Sequence, residues 1–153
     1  MANVHIAVQT QDFNLANEIK ELKADVPEVG ALVTFTGLVR DFHLDMKVSG
    51  LFLEHYPGMT EKVLAETVAV ASQRWPLISI RLVHRVGELE PGDQIVFVGV
   101  SSAHRGDAFA ACEYLIDTLK TSAPFWKKER SKSGSRWVDA KLSDNNRAKR
   151  WKN

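Results

Sequence analysis

The sequence predicts an α+β fold, on three observations. Apolar residues recur at helical spacing in three segments, and alternate or run together as β-branched stretches in several others, interleaved along the chain. Two of the strand-like runs are joined by Pro91–Gly92–Asp93, residues suited to a hairpin turn, so this pair is expected to be antiparallel and the sheet not doubly wound. With 153 residues, 44% hydrophobic and 25% charged, the chain is long enough to bury one core, and a single domain over 1–153 is expected.

The elements follow in order. Val4, Ile6 and Val8 alternate with His5, Ala7 and Gln9, the period of a first strand. Asn14, or Asp12 before it, can cap a helix in which Leu15, Ile19 and Leu22 fall on one face and which stops before Pro27. The run GALVTFTGLV, from Gly30 to Val39, is β-branched and aromatic and is expected to be a central strand. SGLFLEHY ends at the turn pair Pro57–Gly58, after which Thr60 is expected to cap a second helix with Val63, Leu64, Val68 and Ala71 as its apolar stripe, ending at Trp75–Pro76. ISIRLVHRV and QIVFVGVSS form the antiparallel pair, and a long helix follows them. A short strand around Trp137–Val138 precedes a basic tail from about residue 142, expected to be loosely ordered unless a partner holds it.

Charge and cysteine content narrow the function classes. Lys plus Arg number 20 against 19 for Asp plus Glu, so the net charge of +1 supplies no overall field for nucleic acid or an anionic membrane, and any basic site must be local. The N-terminal MANVHIAVQT lacks a basic region followed by an apolar run, and no stretch approaches the roughly 20 apolar residues of a membrane span, so a cytoplasmic, non-membrane protein is expected. Cys112 is the only cysteine, which excludes an internal disulfide, a CxxC pair and a thiolate zinc cage. The histidines at 5, 43, 55, 84 and 104 form no HxxxH or HExxH pattern, so no metal site is expected.

The chemistry-bearing residues gather around the long helix. Ala108, Ala111, Cys112, Leu115, Ile116 and Leu119 occupy one helical face, and Lys120 continues the row of Ala108, Cys112 and Ile116 just before Pro124. A lysine there either complements the helix dipole and reaches for water, or is a partly desolvated amine suited to proton transfer, nucleophilic attack or anion binding. Its companions favour the second reading. His104 and Arg105 stand where a strand gives way to the helix, a junction whose backbone N–H groups attract anions. Arg40 leaves the end of VTFTGLVR, and Lys127, Lys128 and Glu129 follow Phe125–Trp126. With Phe35, Phe125 or Trp126 as flat walls, this set suits a small, planar, phosphorylated anion; by spacing alone it also fits scattered surface charges.

In this order VTFTGLVRD, LEHYPGMTEK, HRVGELEPGD, VFVGVSSAHR and LKTSAPFWKKE resemble the large, catalytic subunits of molybdopterin synthases, from about Phe13 to Trp151. The resemblance implies an α/β hammerhead domain with an additional antiparallel β portion. It implies a sulfurtransferase that converts cyclic pyranopterin monophosphate, precursor Z, into the dithiolene molybdopterin. Sulfur would come from the C-terminal Gly-Gly thiocarboxylate of a small ubiquitin-like subunit, one such subunit at each end of a central homodimer, making a heterotetramer. Matched residue by residue, Lys120 and Lys127 are the catalytic lysines, and Leu38, Val39, Arg40, His104, Arg105, Lys120, Lys127, Lys128 and Glu129 are substrate-binding positions. Lys141 stands where such proteins commonly place an arginine that reaches a neighbouring subunit's anion pocket, and lysine lacks the bidentate fork. No resident cofactor is implied, since molybdenum enters at a later step. Cys112, on the core face, is expected to be an inert packing residue, which fits a reaction whose sulfur arrives on another protein.

Two other classes remain open from sequence. One is a nucleic-acid module using Arg147–Lys152 with Trp151; the other is a non-catalytic scaffold that captures a flexible glycine-ended tail.

Overall fold

The computed structural model describes residues 2–43, 46–131, 134–138 and 142–152. In chain order the elements are β1 (Asn3–Gln9), α1 (Leu15–Lys23), β2 (Ala31–Leu38), β3 (Phe42–His43), β4 (Met46–His55) and α2 (Met59–Arg74). There follow β5 (Leu77–Arg85), β6 (Gly87–Leu89), β7 (Gln94–Ser102), α3 (Arg105–Ser122), β8 (Phe125–Ser131), β9 (Gly134–Val138) and α4 (Leu142–Lys149). This is the mixed α+β architecture the sequence predicts.

One sheet has the order β1-β5-β7-β2, with β1 parallel to β5 and the remaining pairs antiparallel. Alternation along β7 sends Val96, Val98 and Val100 to α2 and α3, and Phe97 to the opposite face against Phe13 and Val83. Leu22 of α1 and Gly99 of β7 meet on that second face, where a side chain on residue 99 would press on Leu22 and Phe97. The second sheet runs β3-β4-β8-β9, with β6 also paired to β4. Leu51 and Leu53 of β4 and Leu89 of β6 join the main core, so one apolar cluster runs through both sheets. The turn at Pro91–Gly92 does connect an antiparallel pair, β5 and β7, with β6 inserted ahead of it.

Five features of the sequence reading are corrected or completed. The Gly30–Val39 run is an edge strand, since β2 pairs with β7 alone among the described strands. Its apolar content is explained by α3, which packs over it. The second helix is capped at Gly58 and not at Thr60: Glu61 accepts the Gly58 N–H at 3.0 Å, while the Thr60 hydroxyl folds back to the Tyr56 carbonyl at 2.9 Å. FWKKERS, unassigned by periodicity, is strand β8, drawn into register by β4 and β9. The C-terminal segment is helical and docked on α3, for reasons of charge given below. Of the two candidate caps for α1, Asn14 is the one used, accepting from the Asn17 N–H at 3.1 Å.

Candidate active site

Parity along β5 positions the centre of the site. Ile80 and Leu82 face α2 and α3 and are fully buried, and His84 completes the same row at the rim of the sheet, 5% exposed. Its imidazole stacks on Phe125, with centroids 3.9 Å apart and planes 16° from parallel. His84 Nδ1 lies 2.8 Å from the Arg85 carbonyl oxygen, so Nδ1 carries the proton and Nε2 keeps its lone pair. Burial pushes the His84 pKa down to about 3, and the nearby positive charges of Lys120, Lys127 and His55 press the same way. The ring is therefore neutral at physiological pH.

Those charges identify what surrounds it. Lys120 is half-buried in the last turn of α3, and only Ala123–Pro124 separate that helix from β8. In the β4–β8 ladder His55 pairs with Phe125 and Leu53 with Lys127, so His55, Phe125 and Lys127 share the inward face with buried Leu53. His55 Nδ1 is buried without a hydrogen-bond partner among the described residues. The two lysines thus reach one environment from different elements: Lys120 from a helix end, Lys127 from the strand that leaves it.

Arg40 arrives from a third direction. The Val39 N–H donates to the Asp93 carbonyl at 2.9 Å and the Gly92 N–H donates to the Val39 carbonyl at 2.8 Å, clipping the chain after β2 to the Pro91–Gly92 turn. Val39 is buried by this clip, while Leu38, at the irregularity after Gly37, stays 54% exposed. Val39, Arg40, Asp41, Pro91 and Gly92 line a shallow cavity of about 460 Å³. Gly37 and His84 both pair with Val96, so this cavity opens at the same end of the sheet as the imidazole.

His104 and Arg105 lie elsewhere within the chain. His104 is the N-cap of α3 and Arg105 its first residue, and the roughly four turns to Lys120 span ~22 Å at 1.5 Å per residue. Lys128 points away from Lys127 across the pleat, its ammonium 5.6 Å from the centre of the Trp137 ring. Glu129 returns to the inward parity, opposite Leu51 and Arg136. Lys141 lies outside the described residues. Within one chain Lys120 and Lys127 therefore face His84, Arg40 lies at the same end of the sheet, and His104–Arg105 stand at the far end of α3.

Sequence reasoning missed His84, His55 and the packing role of Phe125. A signal was present for His84, which has the same parity as Ile80 and Leu82 in an alternating strand and so had to point inward. Cys112 is buried, its thiol 3.7 Å from the Val98 carbonyl, and burial pushes its pKa up to about 12. No reactive thiolate exists at the site's pH.

Fold and site together define an α+β protein with a basic rim built on two lysines and a neutral histidine, its one cysteine buried in the core. Residues 8–122 match the family model described as MoaE protein, and the chain belongs to that family. It is 56% identical over 146 residues to the molybdopterin synthase catalytic subunit of Vibrio cholerae, covering 95% of this chain and 97% of that one. Among solved structures it is similar to the molybdopterin biosynthesis MoaE protein of Burkholderia ambifaria, with a TM-score of 0.82, 52% identity, and coverage of 99% and 98%. It also shares its fold, at a TM-score of 0.69, 19% identity and coverage of 91% and 90%, with a chain from the Helicobacter pylori complex of subunits 1 and 2 of molybdopterin-converting factor.

Proposed function

We propose that the chain is the catalytic, sulfur-transferring subunit of a molybdopterin synthase, acting in the cytoplasm on precursor Z with a small thiocarboxylated partner subunit. The observation that carries the reading is the convergence of Lys120 and Lys127 on neutral His84 at a rim that also holds Arg40. The partner's thiocarboxylate sulfur attacks the pterin side-chain carbon that bears a ring phosphate oxygen, the C–S bond forming as that C–O bond breaks and the cyclic phosphate opens; Lys120, beside the acyl group, moves the proton and stabilises the oxyanion that develops as water attacks the thioester. Hydrolysis frees the spent carboxylate tail and leaves the sulfur on the pterin as a thiolate; a second loaded partner then delivers its sulfur to the neighbouring side-chain carbon, whose oxygen leaves as water, and hydrolysis of that thioester frees the second tail. Lys127 and Arg40 hold the phosphate and ring, with Leu38 and Val39 lending backbone contacts. A neutral histidine between the lysines spares the site a further positive charge, and partial burial strengthens each remaining interaction.

His104 and Arg105 are too far from Lys120 to share a substrate with it inside one chain. A homodimer resolves this, with the helix start of one copy completing the rim of the other. Lys128 and Glu129 support the segment that carries Lys127. No described helix is long and apolar enough to cross a membrane. The nucleic-acid reading loses its residues, because Arg147, Arg150 and Trp151 are engaged with Glu113 and Asp117 of α3.

The test is a reconstitution of purified chain, precursor Z and thiocarboxylated small subunit, with molybdopterin read as its fluorescent oxidised derivative. Wild type should form product and Lys120→Ala should lose at least roughly a hundredfold in rate. A scaffold that merely captured the tail would keep its rate in the variant, and that result would overturn the reading.

A further inference from the structure

Asp117 is a carboxylate that the reaction above does not use. It is 5% exposed and stands three residues before Lys120 on α3. Its Oδ2 accepts from Trp151 Nε1 at 2.9 Å and from Arg150 Nη2 at 3.0 Å, and Arg147 Nε lies 3.6 Å from Oδ1. These partners belong to α4 and the turn after it. A carboxylate so buried is strongly unfavourable if its partners leave. Glu113, four residues earlier on the same helix face, would then repel it; in the folded chain Arg150 lies 2.8 Å and Arg147 3.2 Å from Glu113.

The indole that serves Asp117 is itself fixed. Trp151 meets Trp75 edge-on with centroids 5.8 Å apart and Tyr114 edge-on at 5.6 Å, and its carbonyl accepts from Arg74 at 2.8 Å. The same stretch of chain begins in β9, where Val138 pairs with Lys127 and Trp137 with Lys128. One segment therefore holds the strand carrying Lys127 at its start and the helix carrying Lys120 at its end. Last turns are where helices fray, and Lys120 sits in such a turn, four residues before Pro124.

We infer that Asp117 is a positioning residue: tied to Arg150 and Trp151, it locks the last turns of α3 and so sets where the Lys120 amine stands relative to Lys127. The inference rests on the proposed role of Lys120. Because displacing a reacting group by about 1 Å can cost up to a hundredfold, the lock acts on turnover more than on substrate binding.

The experiment uses the full chain with its small subunit and precursor Z, comparing wild type, Asp117→Asn, Asp117→Glu and Trp151→Phe. Lys120→Ala serves as control. Steady-state kinetics are read beside amide hydrogen exchange over residues 108–122. Asp117→Asn and Trp151→Phe should lower kcat roughly tenfold with KM within about twofold, raise exchange in residues 118–122 and leave 108–115 protected. Asp117→Glu should recover most of the turnover. Unchanged exchange in 118–122, or raised exchange with wild-type kcat, would overturn the inference. Should Asp117→Asn loosen the whole core or fail to fold, Trp151→Phe decides alone, since it keeps a phenyl ring beside Trp75 and Tyr114 while removing the N–H together with the fused five-membered ring. Failure of wild type to make product, or full activity in Lys120→Ala, would refute the functional reading, and the exchange data would still decide whether the lock exists.

Discussion

His84 and Phe125 lie ring against ring, 3.9 Å between centroids, and this contact ties β5 of one sheet to β8 of the other. The imidazole is thereby sealed from water at the point where the two lysine-bearing elements meet. Its pKa, about 3 in the folded chain against an ordinary 6.5, makes stability depend on pH. Between those values the unfolded chain binds a proton that the folded chain refuses, so the stabilisation is complete above pH 6.5 and is lost as pH falls toward 3. The loss approaches ~1.4 kcal/mol per pH unit inside that window. Urea unfolding of wild type and His84→Phe from pH 7 to 4 should show the steeper decline in wild type; parallel curves would disprove the assignment.

Cys112 should be dispensable for sulfur transfer. Its thiol is buried and its pKa raised to about 12, so Cys112→Ala is expected to cost about 1–2 kcal/mol of stability through lost packing while leaving molybdopterin formation at the wild-type rate. A thiol reagent should label the native protein only on the timescale of opening. A fast labelling phase, or loss of turnover in the variant, would show a chemical role.

Gly30 lies so close to Ala103 that a Cβ at residue 30 would run into the Ala103 carbonyl oxygen, a backbone atom that cannot rotate aside. Gly30→Ala is expected to destabilise the fold by roughly 1–3 kcal/mol and to displace the junction that presents His104 and Arg105. Chemical denaturation measures the first effect. An unchanged midpoint would mean that the edge strand yields freely.

The proposed sharing of sites between two copies predicts complementation. Arg105→Ala and Lys120→Ala chains, each weakly active alone, should regain activity when refolded together, because a hybrid dimer holds one rim with both an intact Lys120 and an intact Arg105. Activity equal to the mean of the separate variants would refute the sharing of sites between copies.

Much of the fold could be read before any coordinates. β5 and β7 declare themselves by continuous apolar runs and α3 by its stripe, because there local pattern and tertiary burial agree, whereas β1 and α1 are legible from alternation and from the Asn14 cap although Val4, Leu15 and Ile19 stay exposed. Illegible elements draw their shape from elsewhere in the chain. FWKKERS has charges at inward positions and becomes a strand only because β4 and β9 flank it. LSDNNRAK has little apolar surface of its own, and its helix depends on Glu113 and Asp117 receiving Arg147 within it and Arg150 just after it. For the site, Arg40, Lys120 and Lys127 were visible as residue types near element ends. The ~22 Å separating Arg105 from Lys120 follows from helix length alone, yet motif matching ignores distance.

The parallel pairing of β1 with β5 also imposes an order in time. Asn3 finds its partner in Ser79 and Gln9 in Arg85, so β1 emerges from the ribosome well before the strand it joins. At about 5–20 residues per second the wait is on the order of several seconds. β2 waits almost as long, for β7, which also pairs with β5. A nascent chain halted ahead of Gln94 would display an apolar β2 with its ladder unfilled, and the synthesis of β7 is the event that closes that edge.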